Sequence, residues 1–194
     1  MQFIPPDYFR KLEKPEIFPR QPRQLEIDLG CGDGSFLIAL AGHYPERDFL
    51  GIERLLGRAR KAYRKACQAD LDNLKVLRLE ISYALVWLLP DRCASRIHLL
   101  FPDPWPKKKH HKRRMVSVEF CAALARVLEP GGEFLMKTDD EEYFEESMNV
   151  LMNARSLEQV PWEDDAFFYP QTDFEKQWLG QGRTIQSARF KVSD

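Results

Sequence analysis

The chain has only four cysteines, and they are scattered without a C-x-x-C pair, at Cys31, Cys67, Cys93 and Cys121. This spacing excludes the usual zinc and disulfide motifs and predicts reduced thiols. No apolar run approaches the roughly 18 residues of a membrane span, and the N-terminal residues lack a signal-peptide pattern. We therefore expect a cytoplasmic protein that does not enter a membrane.

A large excess of charge of either sign is also absent, since the formal net charge is −1 for 194 residues. The cations are nevertheless concentrated, because six of the eight residues from 107 to 114 are Lys or Arg. We call residues 107–114 the basic segment. Its composition is typical of a surface that binds a polyanion, although a nuclear localisation signal or a solvated loop has the same composition.

The length and the ordinary composition, with 44% hydrophobic and 30% charged residues, predict one domain with a sizeable core. Residues 1–23 contain five prolines and no clear periodicity, which predicts an irregular lead-in on the domain surface. A single domain is expected over residues 24–194.

Within that domain, predicted strands alternate with predicted helices, which is typical of a doubly wound, mostly parallel α/β sheet. An aromatic loop is predicted at residues 161–171, before a short helix. The predicted strands are residues 25–29, 48–53, 74–79, 96–101, 133–138, 157–160 and 184–192. The predicted helices are residues 35–41, 55–68 (strongly basic), 82–89, 116–128 and 172–179, and one that opens with the acids from residue 139 onward and continues to about residue 153.

A glycine-rich turn follows the first of these strands, with Gly30, Gly32 and Gly34 in G-x-G-x-G spacing. A dinucleotide site usually has G-x-G-x-x-G spacing, which places the pyrophosphate on a helix N-terminus. Asp33 within this turn would also repel a pyrophosphate. The turn therefore favours S-adenosylmethionine, which has no phosphate and carries a sulfonium and an ammonium.

Three carboxylates end three successive predicted strands: Asp28, Glu53 and Glu80. Because these strand ends meet at one edge of a doubly wound sheet, the three acids are expected to surround one ligand. Asp28 suits the cationic methionine end, Glu53 the two ribose hydroxyls and Glu80 the adenine edge. For any single one of these acids, the alternative interpretation is a surface residue at a strand end without a ligand.

Another carboxylate, Asp103, lies between two prolines and is followed by Trp105 and the basic segment. Each proline fixes its own φ and biases the preceding residue away from helix, so a stiff, extended loop is predicted. Trp105 suits stacking on a base or packing of the loop onto the core. No metal site is expected at His110 and His111, because adjacent side chains diverge in regular structure.

A further motif, Thr172-Asp173-Phe174-Glu175, has the pattern of a capping box, with Thr172 as the cap and Glu175 three residues later. Two interpretations remain open. The motif caps the helix only, or it also presents donors and acceptors to a base.

These motifs together resemble the bacterial tRNA (guanine-N7)-methyltransferases, a Rossmann-like, S-adenosylmethionine-dependent family, over about residues 20–192. The run from Asp28 to Gly34 is similar to a cofactor loop shared by many methyltransferases. The run from Phe101 to Lys107, with Arg113 and Arg114, resembles the signature of this one family.

The resemblance implies a sheet of about seven strands with an antiparallel C-terminal strand. It also implies a product, 7-methylguanosine in the variable loop of tRNA (m7G46). Asp103 is then the catalytic residue and also contacts the cofactor. The implied cofactor-binding residues are Asp28, Gly30, Gly32, Glu53, Glu80 and Asp103, and the implied substrate-binding residues are Lys107, Asp139, Thr172, Asp173, Phe174 and Glu175.

Two rival functions remain: a catalytically silent RNA-binding module on a methyltransferase scaffold, and a methyltransferase for proteins or small molecules. The basic segment is unexplained by the second rival. The expected partner is tRNA, and the oligomeric state is left open between a monomer and a homodimer.

Overall fold

The structure is a computed structural model that describes residues 2–162 and 167–193. They form an eight-stranded sheet in the order β1-β4-β3-β2-β5-β6-β8-β7. The strands are β1 (Gln2–Phe3), β2 (Leu25–Leu29), β3 (Asp48–Ile52), β4 (Leu74–Leu77), β5 (Ala94–Leu100), β6 (Leu128–Thr138), β7 (Leu157–Val160) and β8 (Gln186–Val192).

Helices follow most of these strands. They are α1 (Lys14–Ile17), α2 (Ser35–His43), α3 (Leu56–Gln68), α4 (Ile81–Tyr83), α5 (Val118–Val127), α6 (Glu141–Met152) and α7 (Asp173–Gly180). A π-helical turn (Ala84–Leu88) continues α4, and a 3-10 helix (Lys108–Arg113) lies between β5 and α5. No helix in the described residues is long and apolar enough to cross a membrane.

The strands β1 to β6 pair in parallel. Every residue of β2 and β3 is buried, as expected for parallel strands that are covered by helices on both faces. The buried apolar side chains form two clusters, one with Phe134 and Leu124 and the other with Phe36 and Leu37. The predicted doubly wound α/β fold is confirmed.

The C-terminal part of the sheet is antiparallel. β8 pairs in antiparallel register with both β6 and β7, which confirms the expected antiparallel C-terminal strand. The sheet has eight strands rather than about seven, because β1 adds to the edge of β4.

The expectation of an irregular surface lead-in is corrected for residues 2–23. Phe3 of β1 is buried, and so are Leu12, Ile17 and Phe18. Their apolar side chains join the larger cluster, so burial of apolar area anchors this proline-rich segment to the core, although most of its other residues remain at the surface.

The predicted helix at residues 82–89 is also modified, since only its first part, α4, is α-helical. In the π-helical turn that follows, the guanidinium of Arg126 donates to the carbonyl oxygens of Leu85 (2.6 Å), Leu89 (2.8 Å) and Val86 (3.2 Å). Arg126 comes from α5, so a side chain distant in sequence satisfies these carbonyl groups.

The carboxyl ends of β4, β3, β2 and β5 lie side by side, which is where doubly wound sheets bind their ligands. Gly34 opens α2 at a φ of +81°, and a Cβ atom at this position would lie 2.8 Å from the Cβ of Ala62 on α3. Glycine is therefore required where the first turn of α2 passes α3 beside the glycine-rich turn.

Candidate functional site

A cleft of about 390 Å³ opens at the carboxyl ends of β2, β3, β4 and β5, and this volume is in the range of small-molecule sites. Four of the predicted cofactor residues line it: Gly30, Glu53, Glu80 and Asp103. The full lining is Leu29, Gly30, Glu53, Arg54, Leu55, Arg58, Glu80, Ile81, Leu99, Leu100, Phe101, Pro102, Asp103, Trp105, Arg113 and Met115.

Glu53, directly after β3, organises the glycine-rich turn. One of its carboxylate oxygens accepts the backbone N–H of Leu55 at 2.6 Å, and the other accepts the N–H of Gly32 at 3.2 Å. The N–H of Gly30 donates to the carbonyl oxygen of Ile52 at 2.8 Å. Gly30 and Gly32 both have positive φ, so glycines let the turn approach Glu53 closely. Each Glu53 oxygen keeps a lone pair for a ligand hydroxyl.

Asp28, near the end of β2, is only 3% exposed. Its Oδ1 atom has no hydrogen-bond partner among the described residues. Burial first, and the negative charge of Glu53 second, raise the pKa of Asp28 to about 8. A buried carboxylate without a cation is unfavourable, so this atom fits a ligand that brings a positive charge.

The ligand-free protein should lose stability as the pH rises from about 4 to about 8. In this window the folded chain keeps a proton on Asp28 that the unfolded chain, with an Asp pKa of about 3.9, has released. Asp28→Asn removes this difference, so its Tm should exceed that of the wild type above about pH 8. Thermal melting of both proteins across this range tests the prediction, and identical pH profiles would contradict it.

Glu80 lies at the rim of the cleft and is exposed. Its side chain accepts the backbone N–H of Tyr83 at 2.8 Å, so it caps α4. The cap fixes the carboxylate at the strand end where the sequence predicted it.

Asp103 is exposed at the mouth of the cleft, on the loop after β5. The loop is held by the guanidinium Nε of Arg114, which donates to the carbonyl oxygen of Pro104 at 2.8 Å. The prediction of an extended loop is wrong at Phe101 and Trp105, which adopt φ values of +51° and +48°. These left-handed residues turn the chain at both sides of the Pro-Asp-Pro sequence, so Asp103 is presented by a constrained loop.

Trp105 is half-buried and lines the cleft. The guanidinium of Arg113 stacks over its ring at 4.7 Å, and the ring of His110 meets its edge at 5.8 Å. Trp105 therefore packs the basic segment against the loop that carries Asp103. Part of the Trp105 side chain still faces the cleft.

Five of the six cations of the basic segment are exposed: Lys107, Lys108, Lys109, Lys112 and Arg113. Arg114 is buried instead and forms ion pairs with Glu142 (3.5 Å) and Glu146 of α6. His111 lies near the same two acids, at 3.6 Å and 3.3 Å. These contacts attach the C-terminal end of the basic segment to α6. Its other five cations are exposed to solvent.

The predicted substrate residues lie outside the cleft lining, and one of them contacts a residue of that lining. Phe174 of α7 contacts Phe101 of the cleft, with ring centroids 6.4 Å apart. Asp139 accepts a hydrogen bond from Arg183 at 2.6 Å, and Lys107 and Asp173 are exposed. The ring contact places the first turn of α7 beside Phe101, which precedes the Asp103 loop.

The capping-box prediction holds in part. Thr172 caps α7, since its hydroxyl oxygen accepts the N–H of Glu175 at 3.0 Å. The side chain of Glu175 does not return to the cap. It is buried and binds the ammonium of Lys137 at 2.6 Å, and its Oε2 atom has no partner among the described residues. A buried, unpartnered carboxylate oxygen is suited to accept from a ligand donor.

Sequence reasoning found no role for Glu26, which the structure places in a buried network. Its carboxylate lies 3.0 Å from Nε2 of His98 and 2.7 Å from Arg47, and Nδ1 of His98 lies 3.0 Å from the hydroxyl of Tyr169. Burial lowers the pKa of His98, so a neutral imidazole donates to Glu26 and accepts from Tyr169. The network fastens the segment before Thr172 to the sheet. One feature of the sequence points to Glu26: it is an acid two residues before Asp28, so both side chains lie on the same face of a buried strand.

Comparison with known proteins identifies the family. The family model described as "Putative methyltransferase" matches residues 22–188. A tRNA (guanine-N(7)-)-methyltransferase of Nitrosococcus oceani is 35% identical over 177 residues, which is 91% of this chain and 75% of the relative. One of Rubrobacter xylanophilus is 33% identical over 184 residues, which is 93% of this chain and 81% of the relative.

Among solved structures, the 16S rRNA methyltransferase KamB is similar with a TM-score of 0.67 and 17% identity, over 90% of each chain. This similarity shows a shared fold. The family itself follows from the family model and from the sequence matches over most of the chain. The chain belongs to the tRNA (guanine-N7)-methyltransferase family.

Proposed function

We propose that this protein transfers the methyl group of S-adenosylmethionine to guanine N7 in the variable loop of tRNA, at position 46. The observation that carries the proposal is the position of Asp103. Its carboxylate lies at the mouth of a cleft that is lined by the buried Glu53 and by Arg113, one of the exposed cations of the basic segment. This arrangement suits a cationic cofactor inside the cleft and a polyanionic substrate outside it.

The residues of the cleft, together with the buried Asp28 beside Leu29 of the lining, fit S-adenosylmethionine. The unpartnered oxygen of Asp28 suits the ammonium, the free lone pairs of Glu53 suit the ribose hydroxyls, and Glu80 at the rim suits the adenine edge. Gly30 and Gly32 carry no side chain that would fill the space beside them. When bound, S-adenosylmethionine supplies an electrophilic methyl group on its sulfonium sulfur.

Guanine N7 has a lone pair and no proton, so its attack requires no general base. The protein must instead hold N7 in line with the methyl carbon and the sulfur, which is a positioning task. The purine becomes cationic as the bond forms, and the fixed carboxylate of Asp103 offsets that charge. Asp103 also accepts from the N1–H and N2–H donors of guanine. We therefore propose that Asp103 orients the base and stabilises its charge rather than removing a proton.

The substrate side is proposed to comprise Lys107, Asp139 and the residues from Thr172 to Glu175. Lys107 holds a phosphate, and the free Oε2 of Glu175 accepts from a guanine N–H. Asp139 and Asp173 offer further acceptors on the same side. Since the substrate is an RNA of the cytoplasm, we expect the protein to act there, as a monomer or homodimer.

A catalytically silent RNA-binding module is disfavoured. Burial raises the pKa of Asp28 to about 8, so the ligand-free protein loses stability at neutral pH. A cationic ligand would remove this cost, and a module without a cofactor would keep it.

The function is tested by incubating the protein with methyl-labelled S-adenosylmethionine and bulk tRNA, followed by nucleoside analysis. We expect the label in 7-methylguanosine. Label in another nucleoside, or tight tRNA binding without any transfer, would reject the proposal.

Glu53→Ala should weaken S-adenosylmethionine binding clearly, because it removes the acceptors for the ribose and releases the N–H groups of Gly32 and Leu55. Isothermal calorimetry measures the affinity. The exposed acid Glu158 on β7 serves as a control, through Glu158→Ala. If the two variants bind S-adenosylmethionine with equal affinity, Glu53 does not bind the ribose.

Replacing Lys108, Lys109 and Lys112 with alanine should flatten the salt dependence of tRNA binding. Each phosphate contact contributes a log–log slope of roughly −0.7 to −0.9, so the triple variant should lose about two to three units. Two exposed cations at the opposite end of the sheet, Arg155 and Lys191, supply the control Arg155→Ala/Lys191→Ala. An unchanged slope in the triple variant would show that the basic segment does not bind RNA.

A further inference from the structure

Helix α3 and the residue pair before it carry a second concentration of cations. Six Lys or Arg lie between residues 54 and 65, and no Asp or Glu occurs from residue 54 to residue 69. The six are Arg54, Arg58, Arg60, Lys61, Arg64 and Lys65. This segment and the basic segment hold twelve of the 29 Lys and Arg of the chain.

Of the six cations at residues 54–65, one has an ion-pair partner among the described residues. Lys65 pairs with Asp33 at 2.6 Å. The other five are exposed, and none has an ion pair or a hydrogen-bond partner in the part of the chain that the structure describes: Arg54, Arg58, Arg60, Lys61 and Arg64. The helix buries only a narrow stripe of small side chains, Ala59, Ala62 and Ala66, so all of its charged side chains lie outside this stripe and all are cations.

This charge pattern opposes the stability of the helix. Arg60 and Arg64 are spaced i,i+4, where like charges destabilise a helix by a few tenths of a kcal/mol. The first turn contains Arg58 and no acid, although the positive end of the helix dipole favours acids there. A merely solvated helix face usually mixes both signs, so the exclusive use of cations points to an anionic partner.

The position of α3 identifies that partner. Arg54 and Arg58 line the cleft on the β3 side, and Arg113 of the basic segment lines it on the β5 side. Because β2 lies between β3 and β5, the two cationic surfaces flank the carboxyl end of β2. The basic face of α3 is therefore continuous with the mouth of the cleft, and it extends away from it over a helix about 20 Å long.

We propose that the outer face of α3 is a second contact for the tRNA backbone, on the side of the cleft opposite the basic segment. This inference rests on the proposed function, because it takes tRNA as the polyanion. Arg60, Lys61 and Arg64 bind phosphates without reading sequence, and Arg58 guides the strand to the cleft mouth. The two surfaces together hold the RNA across the cleft, so that one guanine reaches Asp103.

The test uses Arg60→Ala/Arg64→Ala, which removes two cations that do not line the cleft. Alanine has the highest helix propensity, so α3 is retained. The matched control is Arg155→Ala/Lys191→Ala, with the same change in net charge at the opposite end of the sheet. Affinity for bulk tRNA is measured between about 50 and 200 mM salt, together with KM and kcat for methyl transfer.

We expect the α3 variant to flatten the log–log slope by about one and a half units and to raise KM for tRNA on the order of tenfold, with kcat at saturating tRNA unchanged. The control should match the wild type. An α3 variant that matches the control overturns the inference, whereas a wild type that makes no 7-methylguanosine rejects the proposed function instead.

Two further measurements complete the test. Arg60→Gln/Arg64→Gln removes the same charges with polar side chains, and it must show the same slope if charge is the cause. Vesicles of phosphatidylglycerol serve as a different polyanion, because a basic helix also suits a membrane surface. Loss of vesicle binding in the α3 variant, with an unchanged tRNA slope, would overturn the inference.

Discussion

Replacing Asp103 with asparagine is expected to lower methyl transfer to tRNA by about 10²–10³-fold, the range found when a charge-stabilising group is removed from an active site. Asparagine keeps the shape and a hydrogen-bonding oxygen, but it cannot offset the positive charge that develops on the purine. The exposed loop position of Asp103 means that the fold should be retained. Single-turnover transfer to tRNA measures the effect, with thermal melting as the check on folding.

Glu158→Gln on β7 is a matched control, because it also neutralises one exposed acid but lies far from the cleft. It should transfer methyl groups at the wild-type rate. If Asp103→Asn retains near-normal transfer, Asp103 has no electrostatic role in the reaction.

Glu175→Ala should lower methyl transfer by on the order of 10²-fold, which is the loss expected when a buried charged acceptor for a substrate donor is removed. Since Thr172 provides the cap of α7 through its own hydroxyl, Glu175→Ala leaves that cap in place. Its cost in stability comes from the lost pair with Lys137, so the effect on transfer should exceed the effect on thermal melting.

Lys137→Ala separates the two roles of Glu175, because it breaks the same ion pair and leaves the carboxylate present. If Glu175 contacts guanine, Lys137→Ala should lose clearly less activity than Glu175→Ala. Equal losses in both variants would show that Glu175 serves only to hold Lys137.

The sequence predicts the parts of this molecule that depend on neighbours along the chain. The acids at the strand ends and the glycine-rich turn follow from local patterns, and the parallel topology then brings Glu53, Glu80 and Asp103 to one cleft. The cap of α7 by Thr172 is equally local. For these features, short-range patterns and the rules of doubly wound sheets are sufficient.

Features that depend on distant partners could not be predicted in this way. The composition of the basic segment predicts that Arg114 faces a polyanion, but Arg114 is buried and forms ion pairs with acids of α6. Prolines gave residues 1–23 the pattern of a surface loop, although Phe3 and Ile17 bury their side chains in the core. The contact between His98 and Tyr169 joins residues 71 positions apart, and neither residue carries a local signal.

The central claim is that the methyl group goes to guanine N7, and one substitution in the RNA tests it most directly. Two tRNA transcripts are compared in a single-turnover assay, one with guanine and one with 7-deazaguanine at the target position in the variable loop. The replacement removes the N7 lone pair and leaves the N1–H and N2–H donors for Asp103 and Glu175. We expect both transcripts to bind equally and only the guanine transcript to be methylated. Equal methylation of both would contradict the account.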